Sequence, residues 1–314
     1  MRLVADLGGT HCRLALADNT GALTQVQTFI AAHYSTVEDA ITVYLGDKDA
    51  RVKNACLAVA GPTQAHTMTM TNLSWRTTAQ QLNKRFGFEQ SAFINDFEAI
   101  ALSIPALAAD ELLDIGLSSI DLRSPIAVLG PGTGLGVAQL IPCGHHFMAI
   151  ATEGGHTALQ AHTSTEQAIF NYWQAQGLAL SRESFLSGPG LYRLYAAICS
   201  LEKSECGADE GGAVSQLAAQ GDALATAAID VFFSLLGSAA GDQALACGAR
   251  GGVVLAGGIL PKMRNALLNS PFRERFEAKP PMQDYLKRIP SCLIVHENPG
   301  LLGASLYPLH SQDS

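Results

Sequence analysis

The chain has 314 residues, of which 48% are hydrophobic, and this length and composition suggest two domains with substantial buried cores. Its net charge of −8 argues against a nucleic-acid-binding surface, because phosphate backbones are bound by clustered Lys and Arg. The seven cysteines include no C-x-x-C pair, which argues against a zinc site and against a disulfide framework.

The opening segment MRLVADLGGT has an apolar run of only three residues before Asp6, too short for the core of a signal peptide. No later run of 18 apolar residues is evident. We therefore expect a soluble cytoplasmic protein that contacts neither a membrane nor a nucleic acid.

Apolar periodicity and turn residues predict alternating strands and helices along the chain. The predicted strands are residues 2–7, 12–17, 24–30, 52–60, 91–95, two within 126–141, 146–150, 252–256 and 291–295. The predicted helices are residues 36–45, 77–86, 96–104, 164–175, 189–202, 212–219, 222–247 and 300–308. Strands separated by helices indicate a largely parallel α/β sheet covered on both faces.

The chain has two halves with a common plan, separated by the weakly patterned segment 106–124. Each half begins with a glycine-turned hairpin followed by a third strand, around Gly8-Gly9 and again within 126–150. The apolar helix predicted at 222–247 is interpreted as a core element or a dimer contact.

Three glycine turns follow short apolar strands: ADLGGT at 5–10, GPGTG at 130–134 and AGG at 256–258. Glycine lets backbone N–H groups approach a phosphate without a Cβ in the way. Thr10 adds a hydroxyl, and Asp6 can orient a hydrated Mg²⁺. These turns therefore favour nucleotide binding, although a single glycine turn would be weak support.

Two common nucleotide motifs are excluded. No lysine follows a glycine, so the P-loop sequence is absent. The glycines at 130, 132, 134 and 136 alternate and continue into a strand, unlike the dinucleotide fingerprint that opens a helix.

The segment FINDFEAIAL at 93–102 allows two interpretations of Asn95-Asp96. Either residue can cap the helix that follows. Alternatively, Asp96 is a carboxylate at the C-terminal end of a buried strand, where α/β proteins hold their ligands.

Eight segments together resemble the bacterial glucokinase family of the non-zinc type and cover nearly the whole chain. They are DLGGT at 6–10, TNLSW at 71–75, INDF at 94–97, GPGTGLGV at 130–137, EGGH at 153–156, ESFLSGPGL at 183–191, LAGGI at 255–259 and HENPGLLG at 296–303. The resemblance implies two duplicated ribonuclease H-like domains of the actin-like ATPase type, with an interdomain cleft. It further implies a smaller domain of 1–107 plus 297–314 and a larger one of 108–296.

The resemblance also implies an ATP-dependent kinase that phosphorylates glucose at its 6-hydroxyl, acting with Mg²⁺ as a homodimer. Asp96 would be the general base. The expected glucose-binding residues are Asn95, Asp96, Glu153, His156 and Glu183. The expected ATP-binding residues are Ala5, Asp6, Leu7, Gly8, Gly9, Thr10, Gly132, Thr133, Gly134, Gly257 and Gly258, with Asp6 also holding Mg²⁺ through water. The family usually has Asn-Ala after DxGGT, whereas this chain has His11-Cys12.

Simpler roles remain open for several of these side chains. Asn95 could cap a helix, and Glu183 could favour a helix N-terminus. Glu153 and His156 have i, i+3 spacing, but the intervening glycines argue against a helical di-metal pair and for directed hydrogen bonds to a sugar. Trp75 is predicted to pack rather than to stack on a ligand.

Three other functions compete with a glucokinase. An actin-like or chaperone-like ATPase would share the phosphate loops but not the sugar-binding set. A sugar-responsive repressor would need a DNA-binding segment, which we do not expect because only five residues precede Asp6. A kinase of N-acetylated sugars would usually carry a cysteine-rich zinc loop, which is missing here.

Overall fold

The structure is a computed structural model that describes residues 1–46, 51–61, 66–70, 73–117 and 119–309. Thr71 and Asn72 of the TNLSW motif and the last five residues of the chain lie outside the described residues.

The predicted strands and helices are found close to their predicted positions, except that residues 77–78, predicted to begin a helix, lie in a short strand, and several short elements were not predicted. The strands are β1 (Arg2–Leu7), β2 (His11–Ala17), β3 (Leu23–Ile30), β4 (Asn54–Val59), β5 (Thr67–Thr69), β6 (Arg76–Thr78), β7 (Gln90–Asn95), β8 (Leu112–Asp114), β9 (Ile126–Pro131), β10 (Leu135–Cys143), β11 (His146–Thr152), β12 (Gly252–Leu255) and β13 (Ser291–Ile294). The helices are α1 (Val37–Leu45), α2 (Ala79–Phe86), α3 (Asp96–Ser103), α4 (Ser164–Gln174), α5 (Arg182–Phe185), α6 (Gly188–Leu201), α7 (Gly211–Ala219), α8 (Ala223–Cys247), α9 (Arg264–Leu268), α10 (Phe272–Glu277), α11 (Gln283–Leu286) and α12 (Pro299–Leu306).

The structure contains two large sheets in which the central strands are arranged in the same way. Their orders are β3-β2-β1-β4-β7 and β11-β10-β9-β12-β13-β8, and β5 and β6 form a separate hairpin. In each large sheet an antiparallel hairpin, β1–β2 or β9–β10, adjoins two further parallel strands. The predicted α/β class and the predicted duplication are thus confirmed.

Both faces of the first sheet are covered, and the alternation of side chains along β1 shows how. Leu3, Ala5 and Leu7 lie in one apolar cluster with residues of α1 and α2. Val4 lies in a second cluster, on the other face, with residues of α3 and α12. Since successive strand residues point to opposite faces, one apolar strand supplies both cores.

The chain divides into two compact units. One comprises Met1–Leu107, Phe147–Ala151 and His296–Ser314, and the other comprises Ala108–His146 and Thr152–Val295. This division departs from the predicted 1–107 plus 297–314 and 108–296 in two places: Phe147–Ala151 belong to the first unit, and its C-terminal segment begins at His296.

Helix α8 is a core element of the second unit, as its apolar pattern predicts. Its buried side chains include Phe232, Phe233 and Leu236, and it packs against α6, α7 and α10. Within the described residues it is the one helix with the length and hydropathy of a membrane span, but 61% of its most apolar stretch is buried in the protein. These properties are typical of a core helix.

Candidate active site

The first glycine turn lies at the C-terminal edge of the parallel strands of sheet one. Val59 in β4 is the register partner of Leu7 in β1 on one side and of Asn95 in β7 on the other. The residues that follow Leu7 and Asn95 therefore emerge at the same edge of the sheet. This arrangement brings the predicted phosphate loop and Asp96 to one side of the first unit.

Asp6 faces Arg13 across the β1–β2 hairpin, where the two residues are direct register partners. Arg13 Nη1 lies 3.3 Å from Asp6 Oδ2, in an ion pair. Burial raises the pKa of Asp6, and the nearby Arg13 guanidinium opposes that rise. Arg13 therefore favours the ionised carboxylate that a hydrated cation would require.

The backbone of the turn is closed in spite of the His11-Cys12 departure. The Gly8 N–H donates to the His11 carbonyl oxygen at 3.0 Å, and the Ala31 N–H donates to the Thr10 carbonyl at 3.0 Å. Cys12 is buried in the core, whereas Thr10 is exposed. The departure thus changes a core side chain without opening the turn.

Two of the predicted ATP-binding residues contribute only backbone atoms at this surface. The side chains of Ala5 and Leu7 are fully buried in the apolar cluster on the α1–α2 face of the sheet. Contacts from this strand to a nucleotide would therefore come from their peptide groups and from the exposed turn.

Asn95, and not Asp96, caps helix α3. Asn95 Oδ1 accepts hydrogen bonds from the N–H groups of Phe97 (2.9 Å) and Glu98 (3.2 Å). The Glu98 carboxylate accepts a return bond of 3.4 Å from the Asn95 N–H, which completes a capping box. Asn95 Nδ2 donates to the Gly61 carbonyl at 3.1 Å. The amide of Asn95 is thus largely committed to the protein, and little of it remains for a sugar.

Asp96 is the first residue of α3 and is half-buried. Its Oδ1 accepts a hydrogen bond of 3.0 Å from the Phe97 N–H. Because Asn95 already supplies the cap, the helix does not need a carboxylate at position 96. The structure therefore assigns the cap to Asn95 rather than to Asp96.

The second and third glycine turns lie together in the second unit. The Ala256 N–H donates to the Leu129 carbonyl at 2.9 Å, which places Gly257 and Gly258 beside the end of β9. The Gly132 N–H donates to the Gly134 carbonyl at 2.8 Å and closes the turn. The Gly132 carbonyl accepts a bond of 2.8 Å from the Gly188 N–H, at the start of α6. Backbone groups from three segments thus converge at one end of this sheet.

Glu183 fixes the strand that follows the second turn. Its Oε2 accepts a hydrogen bond of 2.9 Å from the Leu135 N–H. A Cβ at position 134 would overlap the same carboxylate oxygen, so a larger residue there would displace the Glu183 carboxylate from its present position. Glu183 is therefore not a simple helix-dipole residue, because its carboxylate binds the backbone of β10.

His156 lies between two carboxylates in the second unit. Its Nε2 is 3.7 Å from Glu153 Oε2, and its Nδ1 is 4.0 Å from Glu183 Oε1. The segment Gly154–His156 is a single 3₁₀ turn and not an α-helix. The side chains of Glu153 and His156 are 66% and 62% exposed, so both can meet a ligand from solvent.

A resident metal cluster is not evident in the part of the chain that the structure describes. Those residues contain no group of three or more His, Cys, Asp or Glu side chains arranged to hold a metal ion. A single carboxylate such as Asp6 fits Mg²⁺ held through water molecules, because this ion keeps several waters and takes one or two carboxylates.

Two surface grooves lie away from these residues. One, of about 830 Å³, lies between α2, β7 and Tyr307 in the first unit. The other, of about 460 Å³, lies between α7, α8 and the segment after Pro261 in the second unit. Neither groove is lined by any of the predicted site residues.

Three residues that shape the candidate site were not predicted from the sequence: Arg13, Gly188 and Gly300. Arg13 becomes apparent only when β1 and β2 are paired in register. Gly188 touches the second turn, and Gly300 approaches Asp6 so closely that a Cβ there would lie 3.1 Å from the carboxylate carbon. Gly188 and Gly300 belong to the motifs SGPG and NPGLLG, so their glycines were the available signal. Trp75 is buried, and its Nε1 donates to the Tyr34 carbonyl at 3.1 Å, which confirms the predicted packing role.

Comparisons with known proteins give a consistent result. A family model described as Glucokinase matches residues 3–311. The chain is 39% identical to a protein named Glucokinase from Nitrobacter hamburgensis, over 98% of this chain and 97% of that protein. It is 38% identical to the Bifunctional protein glk of Burkholderia pseudomallei, over 97% of this chain but only 48% of that longer protein. The crystal structure of a glucokinase from an Antarctic psychrotroph superposes with a TM-score of 0.86 and 36% identity, covering 97% of each chain.

Proposed function

Since the chain belongs to the glucokinase family, we propose that it transfers the terminal phosphoryl group of ATP to the 6-hydroxyl of glucose. Glucose 6-phosphate and ADP would be the products. The observation that carries the proposal is the convergence, in the second unit, of Glu153, His156 and Glu183 beside the glycine turn at 132–134. A sugar-binding set adjoining a phosphate loop is what a sugar kinase requires.

Asp96 is the general base in this proposal. Phosphoryl transfer needs positioning, charge neutralisation and a group that accepts the proton of the attacking hydroxyl. Asp96 stands at the C-terminal edge of sheet one, next to a cap that fixes the start of α3. Its carboxylate would accept the 6-hydroxyl proton as the oxygen attacks phosphorus.

Glucose would be held by directed hydrogen bonds. Glu153 and Glu183 supply acceptors, and His156 supplies one donor and one acceptor when it is neutral. Glu183 already accepts the Leu135 N–H through Oε2, which leaves Oε1 to face the ligand. Asn95 would contribute mainly by setting the position of Asp96.

ATP would be bound largely by backbone N–H groups of the glycine turns, since few basic side chains lie among the predicted residues. Asp6 would hold Mg²⁺ through water, and the ion would neutralise charge on the transferred phosphoryl group. Arg13 would keep Asp6 ionised. We further propose that the protein acts in the cytoplasm as a homodimer.

An ATPase of the actin-like or chaperone-like kind is the alternative with the same fold. It would hydrolyse ATP without a sugar acceptor. Glucose-stimulated release of ADP separates the two functions, because only a sugar kinase depends on the acceptor.

The decisive experiment is a coupled assay of the purified full-length chain. Glucose, mannose and glucosamine are tested as acceptors, and ATP, ADP and polyphosphate as donors. We expect the largest kcat/KM with glucose and ATP. ADP release that does not change on addition of any hexose would reject the proposal in favour of the ATPase.

A further inference from the structure

Two cysteines lie together where helix α6 ends. The Ser204 N–H donates to the Cys199 carbonyl at 2.9 Å, so the chain folds back over the last turn of the helix. The Gly207 N–H donates to Tyr195 Oη at 3.1 Å and holds the other side of the same loop. These two contacts hold Cys206 beside the last turn of α6, where its thiol is one of the groups that raise the pKa of Cys199.

The two thiols differ in their access to solvent. Cys199 is fully buried, and the Tyr195 hydroxyl also hydrogen-bonds to it. Cys206 is exposed. Burial raises the pKa of Cys199 to about 11, so Cys199 remains protonated at neutral pH. A dissolved oxidant therefore meets Cys206 first.

The other five cysteines are not arranged in this way. Cys12, Cys56 and Cys292 are buried in strands, and Cys143 and Cys247 are half-buried. Among the described residues, no other cysteine is one of the groups that shift the pKa of Cys12, Cys56, Cys247 or Cys292. Cys247 Sγ instead donates to the Gln243 carbonyl at 3.0 Å within α8.

We propose that Cys199 and Cys206 are a modification site, at which a low-molecular-weight disulfide converts the two thiols into a reversible intrachain disulfide. The Cys206 thiolate attacks one sulfur of the small disulfide, breaks its S–S bond and releases one small thiolate, which takes up a proton. Cys199 then loses its proton to water and attacks Cys206 Sγ in the mixed disulfide. The Cys199–Cys206 bond forms and the second small thiolate leaves, so two protein thiols are oxidised and one small disulfide is reduced to two thiols.

The bond closes a short loop, and the hydrogen bonds made by the N–H groups of Ser204 and Gly207 already hold that loop against the end of α6. Disulfides in reducing compartments are typically transient or regulatory, and an exposed thiol next to a resolving cysteine is the usual arrangement for such sites. This pair provides both features.

The test uses the reduced full-length protein and oxidised glutathione as the probe. After incubation under native conditions, free thiols are alkylated in denaturant and the protein is digested with trypsin. Cys199 falls in the peptide 194–203 and Cys206 in the peptide 204–250. We expect a linked pair of these two peptides, lighter than their sum by two hydrogen atoms and separated by a reductant.

Variants identify the bond. Cys206→Ser, at an exposed position, should abolish the linked pair, whereas the control Cys143→Ser should retain it. Because Cys247 shares the second peptide, a linked pair that persists in Cys206→Ser would overturn the proposal. A glutathione adduct that remains on Cys206 of the wild-type protein, with Cys199 still free, would overturn it as well.

The second step gives a kinetic readout. Tyr195, Cys206 and Asp222 are the titratable groups around Cys199. Because only the thiolate attacks, conversion of the mixed disulfide to the intrachain bond should accelerate about tenfold per pH unit between neutral pH and pH ~9. A conversion rate that does not depend on pH would contradict the role of the buried Cys199 as the resolving thiol.

Discussion

Asp96 lies in the first turn of α3 but does not cap the helix. A substitution of Asp96 therefore tests its proposed role as general base without removing the cap. In Asp96→Asn the side chain keeps its shape and the cap at Asn95 is unchanged, but the amide cannot accept the 6-hydroxyl proton. Loss of a general base typically lowers the rate by about 10²–10⁴-fold. We expect kcat to fall within that range in a steady-state assay, while ATP binding and the thermal unfolding temperature persist.

The neighbouring residue supplies the matched control. Asn95→Ala removes the cap and should lower the free energy of unfolding by about 1 kcal/mol, measured by urea denaturation. Its effect on kcat should be smaller than that of Asp96→Asn. A well-folded Asp96→Asn protein with near-normal kcat would falsify the assignment of Asp96 as base.

Arg13 is expected to control the charge of Asp6. Burial raises the pKa of this carboxyl, and the guanidinium 3.3 Å away opposes the rise. Arg13→Gln therefore raises the pKa of Asp6 further, so Asp6 becomes protonated at a higher pH and loses its affinity for hydrated Mg²⁺. We expect the acidic limb of the pH profile of kcat/KM to move to higher pH, with a larger Mg²⁺ requirement at low pH.

The control for this change is Arg123→Gln. Arg123 also pairs with an aspartate, Asp121, at 2.9 Å, but the pair is an exposed turn contact in the second unit. Its removal should leave the pH profile unchanged. An unshifted acidic limb in Arg13→Gln would show that Asp6 does not need Arg13 to stay ionised in the active enzyme.

At the residue scale, the sequence could predict only those parts of the candidate site whose residues lie next to each other in the chain. The Asn95-Asp96 pair was recognisable, but only the hydrogen bonds at the start of α3 show that Asn95 is the cap. Arg13 required the register of a hairpin. The contact of Glu183 with Gly134 joins segments 49 positions apart in the chain, and no local pattern reports such a contact.

At the scale of elements, α12 connects the Asp6 region to α3. Gly300, in its first turn, lies against the Asp6 carboxylate, and Gly303 lies against the backbone of α3 at Ala99. A Cβ at position 303 would overlap the Ala99 carbonyl oxygen. The close packing of the two helices therefore depends on this glycine.

Gly303→Ala should force α12 away from α3. Overpacking of this kind typically costs about 1–3 kcal/mol, and more where backbone must move. We expect a lower urea midpoint, together with reduced activity because α3 begins at Asp96. The control is Gly212→Ala in α7, where the site is exposed and alanine should be neutral or stabilising by roughly 0.5–1 kcal/mol. Equal stability of the two variants would contradict the packing argument.

The elements that could be predicted are those long enough to show a regular spacing of apolar residues. Apart from β8, the strands of both large sheets and helix α8 are long or strongly apolar, and their ends agree with prediction within a few residues. The hairpin β5–β6, strand β8 and helices α9–α11 were missed. They span three to six residues each, too few for periodicity to emerge, and their conformation is set by the elements against which they pack.

At the scale of the whole molecule, the residues proposed to bind glucose or to position its ligands are divided between the two units. Asn95 and Asp96 belong to the first unit, and Glu153, His156 and Glu183 belong to the second. Each unit has its own apolar core. A ligand that is bound by side chains of both units must therefore couple their stabilities.

Glucose should consequently protect both units from unfolding. At a concentration of about 100 times Kd, a ligand specific for the native state adds about 2.7 kcal/mol to the free energy of unfolding. We expect slower amide hydrogen exchange in β1 and β4 of one unit and in β9 and β12 of the other. Glu153→Gln changes an exposed side chain, so it should leave exchange without glucose unaltered and reduce the protection by glucose in both units. The variant Glu89→Gln, at an exposed ion pair of the first unit, is the matched control and should respond as the wild type does. Protection confined to the second unit would mean that Asp96 does not bind glucose, because a ligand held by one unit stabilises that unit alone.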